Sequence, residues 1–307
     1  MSYKPAVFNF SFLLLMIISS LPASAQRHME KLGRGVVAVR QGADSVFIIW
    51  RILGTEPDDI AFNLYRKAGN TAALKLNKNP ITKGTNFQDV GINPEVDNSY
   101  FVKVVKHNME EEASKPFVLK AKTPVQQYLN IPLKTPTGYT PNDASVGDLD
   151  GDGEYDIVLH QTGRSRDNSS NGITDPPIFQ AYKIDGTFLW EINLGKNIRE
   201  GAHYTQFMVY DLDGDGVAEF ACKTADGTID GKGKVIGDPT KDYRNKNGRI
   251  LEGPEFFTVF SGKTGEALAT TNYLPERGDI GAWGGRGGNG KNDNSGNRVD
   301  RFTACIA

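Results

Sequence analysis

Two aspartate-rich loops with the same spacing, 63 residues apart, limit most strongly what this chain can fold into. Asp148, Asp150 and Asp152 alternate ahead of Gly153, Glu154 and Asp156; Asp211, Asp213 and Asp215 alternate ahead of Gly216, Val217 and Glu219. Carboxylates brought so close repel one another unless a cation sits among them, and alternate carboxylates on a curled loop offer the oxygen shell that calcium requires. The glycines permit the sharp turn, the carbonyls of Glu154 and Val217 can face inward, and Asp156 and Glu219 add a carboxylate two residues on. The expected ligands are therefore Asp148, Asp150, Asp152, Glu154 and Asp156 in one loop and Asp211, Asp213, Asp215, Val217 and Glu219 in the other, with calcium as cofactor. An EF-hand needs Glu at the twelfth loop position, where this chain has Leu159 and Cys222. The bare alternative is an Asp-Gly surface turn, against which the recurrence of the spacing argues. Ions held this way usually staple loops rather than catalyse.

The repeat extends beyond the loops. Ala181-Tyr182-Lys183-Ile184-Asp185-Gly186-Thr187 resembles the later run from Phe257 to Gly265, and each reads as a hairpin turning on glycine. Short strands in repeating units, with no convincing helical periodicity, argue for a β-propeller over a βαβ fold. Upstream, Val36 to Val39, Val46 to Trp50, Phe62 to Tyr65 and Tyr100 to Val105 alternate between Gly, Asn, Asp and Pro breaks. That spacing predicts a small β-sandwich resembling a fibronectin type III module, with Ile49-Trp50 and Tyr65 in its core. The fold class expected is thus all-β: a β-sandwich over 26–123, a Pro-punctuated linker over 124–141, and propeller blades from 142 to 307.

The first twenty-five residues read as a cleaved export signal: Lys4, an apolar run from Phe8 to Ile18, and small residues at Ala23 and Ala25. The run is too short to span a bilayer. The mature chain is accordingly expected to be secreted or periplasmic. With 35 basic and 37 acidic residues, charge gives no reason to expect nucleic acid or an anionic membrane as partner. Cys222 and Cys305, which an oxidising compartment would allow to pair, both sit in apolar strand-like runs that favour buried thiols.

Four runs together resemble polysaccharide lyase family 11, the rhamnogalacturonan lyases: Asn142 to Gly153, Gly201 to Met208, Lys223 to Thr228, and Gly296 to Phe302. The resemblance implies a small N-terminal β-domain, an eight-bladed propeller with several calcium ions, and β-elimination between rhamnose and galacturonate in rhamnogalacturonan I. It also implies sugar contact at Asn142 and a further metal ligand at Asp143. His203, Tyr204, Lys223 and Asp226 become candidates for the chemistry, and Arg298 and Arg301 for uronate carboxylates. For each the structural alternative stays open: a strand-edge turn, a satisfied histidine, a solvated strand-loop pair, surface arginines. Many family members have Lys-Trp-Asp where this chain reads His160-Gln161-Thr162, so Thr162 cannot supply an aspartate's charge to a sugar. A non-catalytic calcium-stabilised binding propeller and a glycoside hydrolase are the rival classes. After the linker there is chain for two or three blades, ending in the apolar run Phe302 to Ala307. The expectation is a truncated, open ring, monomeric and by itself inactive on the polymer.

Overall fold

The computed structural model describes residues 30–167, 170–201 and 205–278, and among these every regular element is a strand. In the N-terminal domain, β1 (Val37–Arg40), β2 (Ser45–Ile49), β3 (Ala61–Ala68), β4 (Leu74–Lys75), β5 (Asn86–Val90), β6 (Asn98–Lys106), β7 (Met109–Ala113) and β8 (Phe117–Leu119) form two antiparallel sheets. One is ordered β1-β2-β5; the other is ordered β4-β3-β6-β7, with β8 also on β6. Strict alternation along β6 sends Tyr100, Val102 and Val104 inward, where they meet Val46 and Ile48 from β2 and Phe62 and Leu64 from β3.

Two of the expected core residues lie elsewhere. Trp50 is buried edge-on to Phe62, but Ile49 points outward because its neighbours Ile48 and Trp50 take the inward positions of the alternation. Tyr65 stacks on Phe101 on the outer face and donates to Glu110, so Phe62 and Tyr100 are the core aromatics of that sheet.

From Pro124 to Tyr139 there is no strand, and Thr140-Pro141, expected in the linker, already belong to β9 (Thr140–Gly147). Proline is tolerated there because β9 is an edge strand. β9, β10 (Asp156–Thr162), β11 (Ile178–Lys183) and β12 (Phe188–Asn193) form an antiparallel meander. β13 (Phe207–Tyr210), β14 (Glu219–Thr224), β17 (Phe256–Phe260) and β18 (Ala267–Asn272) form a second. Between β14 and β17 the chain makes a hairpin, β15 (Thr228–Ile229) and β16 (Val235–Ile236), that joins the outer edge of the first sheet through Asn193 and Ile229. The Thr228 hydroxyl donates to the Leu194 carbonyl across this junction.

The two meanders pack through one aromatic layer. Phe220 is fully buried and lies against Phe179 and Trp190 of the first sheet and Phe207 and Phe260 of the second, with centroids 4.8–5.9 Å apart. Cys222 is a free thiol in the same cluster, and burial pushes its pKa up, so it behaves as a small apolar residue. Cys305 lies outside the described residues. No helix long and apolar enough to cross a membrane occurs among the described residues.

Because Phe220 bridges both sheets, Phe220→Ala is expected to destabilise the protein by about 3–5 kcal/mol, read as a lowered denaturant midpoint. An effect below about 1 kcal/mol would mean that the sheets do not depend on this layer.

Candidate functional site

Each aspartate loop closes a hairpin at the same end of its sheet. In the first, the Asp148 carboxylate accepts the backbone N–H groups of Gly151, Asp152 and Gly153 at 2.7–3.0 Å, and Asp156 accepts that of Leu149. In the second, Asp211 accepts the N–H groups of Gly214 and Gly216, and Glu219 accepts that of Leu212. Gly153 and Gly216 both have positive φ, which lets the backbone turn back toward the first aspartate. The recurrence of sequence is therefore a recurrence of hydrogen bonding.

The charge around the two loops differs. Oxygens of Asp211, Asp213 and Glu219 lie within 4.8 Å of one another, and among the described residues no lysine or arginine pairs with Asp211, Asp213, Asp215 or Glu219. The Lys31 stem lies over Gly216 without a salt bridge to these carboxylates, and an all-oxygen donor set of this kind fits a hard divalent cation. Burial and the neighbouring aspartates raise the pKa of Glu219, the repulsion that such an ion would relieve.

Oxygens of Asp148, Asp150 and Asp152 lie equally close, yet the Lys183 ammonium sits on them, 2.6 Å from Asp150, 2.9 Å from Asp152 and 4.0 Å from Asp156. Lys115 reaches Asp152 at 2.7 Å, and Arg51 pairs with Glu154 at 3.0 Å while lying over the Tyr155 ring. Glu30 accepts the Asp148 N–H, and the Gly33 N–H bonds the Gly153 carbonyl. The first loop is thus where the N-terminal sandwich docks. Burial pushes the Asp152 carboxyl up, but its bonds to Lys115 and Lys183 outweigh that and hold its pKa at about 2. Burial dominates at Asp156, pushed up to about 7 despite Lys183.

The described candidates Asn142, Thr162, Lys223 and Asp226 lie toward the opposite end of the strands. β10 starts at Asp156 beside the loop and ends at Thr162, a length of roughly 20 Å at ordinary strand rise. At that far end the Asn142 amide donates to the Thr162 hydroxyl at 3.0 Å, so the structure brings these two together. Asp143 is exposed next to Asn142 and stands outside the first-loop cluster. Lys223, near the end of β14, pairs with buried Glu255, which also takes Arg277 at 2.8 Å. Asp226 is buried, accepting the Tyr243 hydroxyl and the Asp238 N–H, each at 2.8 Å, and in this arrangement it ties loops together. His203, Tyr204, Arg298 and Arg301 lie outside the described residues.

Sequence reading missed the partners. Glu255 and Arg277 come from elements with no motif, and only the fold gathers them around Lys223. His160, remarked on only for departing from the family pattern, lies 2.8 Å from Glu200; both are buried, and the imidazole stacks on Phe179. Gln161 is fully buried and bonded to Gln180, so two of the three divergent residues are interior ones. Lys183 lies in the run read as a hairpin turning on Gly186, but its pairing with Asp156 comes from the β10–β11 register.

Comparison with known proteins places the chain in a group. Residues 127–307 match the family model for rhamnogalacturonan lyase family 11, C-terminal domain, and residues 27–119 match that for the rhamnogalacturonan I lyases beta-sheet domain. The chain is 50% identical to the rhamnogalacturonan exolyase YesX of Bacillus subtilis (strain 168), across 92% of this chain and 45% of that protein. It is 49% identical to the endolyase YesW of the same organism, across 96% of this chain and 46% of that protein. The structure matches that of Bacillus licheniformis rhamnogalacturonan lyase PL11 with a TM-score of 0.78 at 51% identity, covering 90% of this chain and 46% of that one. The chain thus spans about half the length of the curated relatives it matches.

Two outcomes follow from the loop electrostatics. Removing divalent ions with a chelator should lower the melting temperature; equal melting with chelator and with excess calcium would contradict the metal reading of the second loop. Since the Asp152 pKa falls from 3.8 to about 2 on folding, its contribution is present above about pH 4 and lost as pH drops toward 2. Asp152→Asn should therefore lose less stability than the parent over that interval, measured by denaturant midpoints, and a parallel loss would contradict the pairing.

Proposed function

The chain belongs to rhamnogalacturonan lyase family 11, and we propose that it serves a lyase that cuts the rhamnose–galacturonate backbone of rhamnogalacturonan I by β-elimination. The match of residues 127–307 to the family's domain carries this reading. We read the two four-stranded meanders as successive blades of a β-propeller, the second loop as a calcium site, and residues 1–25 as an export signal that takes the protein to its polymeric substrate.

β-Elimination sets definite demands. A base must take the C5 proton of galacturonate, positive charge must oppose its carboxylate as electrons move in, and O4 must leave as the double bond forms. The far end of the blades has groups of the right kinds. Asn142 and Thr162 present an amide and a hydroxyl side by side for sugar hydroxyls. Lys223 and Arg277 add two cations at this end, both gathered on Glu255. His203 and Tyr204 follow Gly201 in the chain and are assigned to proton transfer on their chemistry, with Arg298 and Arg301 assigned to uronate carboxylates.

Calcium bound against the uronate would neutralise its charge and make the C5 proton more acidic. An ion in either aspartate loop is too far away for this, since roughly 20 Å of strand separates the loops from Asn142 and Thr162. The loop ion therefore steadies the fold, and a cation that assists the reaction is a separate one, for which exposed Asp143 is a ligand at the correct end.

The test is the product. Full-length enzyme acting on rhamnogalacturonan I should release fragments with an unsaturated uronate at the new non-reducing end, seen by ultraviolet absorbance and by mass. Saturated ends would identify a hydrolase, and binding without cleavage would identify a non-catalytic propeller. In the same assay His203→Ala should cut turnover by about 10²–10⁴-fold with the melting temperature unchanged. Turnover near the parent value would remove His203 from the mechanism.

A further inference from the structure

We propose that His160 is a positioning residue for the elimination: stacked on Phe179 and paired with Glu200, it fixes where the chain enters the run that carries His203 and Tyr204, relative to Asn142 and Thr162. The inference rests on the lyase reading and on the assignment of that run to proton transfer. Neither the aspartate loops nor the sugar contacts make use of this pair.

A histidine and a carboxylate shut away from water are costly to bring together. The imidazole Nε2 lies 2.8 Å from Glu200 Oε2, and the two residues are 4% and 1% exposed. Desolvation offsets most of the attraction in such a pair, which leaves the fixing of one chain arrangement as its use here. Glu200 has a partner for each of its polar groups. Oε1 accepts the Thr205 hydroxyl at 3.5 Å, the backbone N–H donates to the Thr174 hydroxyl at 3.0 Å, and the carbonyl accepts the Arg166 N–H at 3.1 Å. One residue thereby joins the end of β10, the connection from β10 to β11 and the approach to β13. Phe179 belongs to the aromatic layer around Phe220, so the imidazole cannot swing off its ring without disturbing the contact between the sheets.

The place of the pair in the fold links it to the reaction. His160 stands two residues before Thr162, so the strand that brings Thr162 to Asn142 also holds Glu200. Glu200 directly precedes Gly201 and Thr205 directly follows Tyr204, so one carboxylate ties together the two ends of the run assigned to proton transfer. The residues before it are anchored in the same manner. Asn197 donates to the carbonyls of Asp226 and Lys241, and Arg199 to those of Ser170 and Gly172. The connection between the two sheets thus takes its position from the far-end loops, and at Glu200 from His160. Elimination requires the base to meet the C5 hydrogen of a sugar held elsewhere, and a misplacement of about 1 Å costs on the order of 10²-fold in rate. No proton or bond changes hands at His160.

Stability and positioning are separable, because an unpaired buried charge destabilises far more than the absence of both partners. In full-length protein acting on rhamnogalacturonan I, His160→Leu should lower both the melting temperature and kcat, since it leaves the Glu200 carboxylate alone. Adding Glu200→Met removes that charge. The double variant should melt close to the parent while kcat stays about 10- to 100-fold down and KM within about twofold. His160→Gln, which keeps a donor where Nε2 stands, should regain most of the kcat that His160→Leu loses. Recovery of kcat together with melting in the double variant would show a purely structural pair and overturn the proposal, as would parental kcat in folded His160→Leu. Should the leucine variants fail to fold, Thr205→Val decides it: a fall in kcat at unchanged KM supports the proposal, and parental kcat counts against it. No unsaturated product from the parent would overturn the lyase reading itself, and this proposal with it.

Discussion

Carboxylates alternating along a tight turn cannot converge without positive charge among them, and both four-stranded meanders depend on how that charge is supplied. The loop connecting the first two strands of each sheet fixes where those strands begin, and Asp148 and Asp211 fix the loop by gathering its amides. With the charge uncompensated, the loop would open and the hairpin register behind it would lose its anchor. Coulomb repulsion at these distances is comparable with the whole margin by which a domain is stable. The same demand explains how the two domains meet. Lys115 and Arg51 of the sandwich serve the first loop as counter-charges, so compensation of that loop and docking of the domain are one set of bonds.

Strand polarity then separates the aspartate loops from the sequence candidates. Because both loops join the first two strands of their sheets, they share one end of the sheets, and the far ends of β10 and β14 put Thr162 and Lys223 at the other. Strand length sets the distance between them, and no side chain crosses it. The aromatic layer around Phe220 holds the two sheets together, and the β15–β16 hairpin ties the second unit to the outer edge of the first. Asp226, at the start of that hairpin, spends its carboxylate on Tyr243 and Asp238. Those bonds tie the loops after β14 together.

Much of the fold was legible because strands of this kind write their burial as alternation, and because a loop that must curl around charge has a strict spacing. β2, β3, β6, β10 and β14 could be read directly. Alternation gives two faces without saying which is inward, and that is why Ile49 and Tyr65 were put in the core. The β15–β16 hairpin was hidden because two-residue strands carry too little pattern. Asn142 and Thr162 were singled out through resemblance, and their contact is set by the β9–β10 register. The partners of Lys223 and the His160–Glu200 pair were not legible, since they join segments far apart in sequence through burial, and spacing carries no trace of that. Lys183 was an intermediate case. The hairpin it forms with β12 around Gly186 was recognised, yet its pairing with Asp156 lies across β10 and β11 and needed that register.

The central claim is that carboxylates converging on these two turns demand positive charge, a demand that Lys183, Lys115 and Arg51 answer in part at the first loop and no salt bridge answers at the second among the described residues. Anomalous diffraction from crystals of the protein grown with terbium would test it most directly. The account predicts an anomalous peak within coordination distance of Asp211, Asp213 and Glu219. No peak there, with those carboxylates still converged, would contradict it.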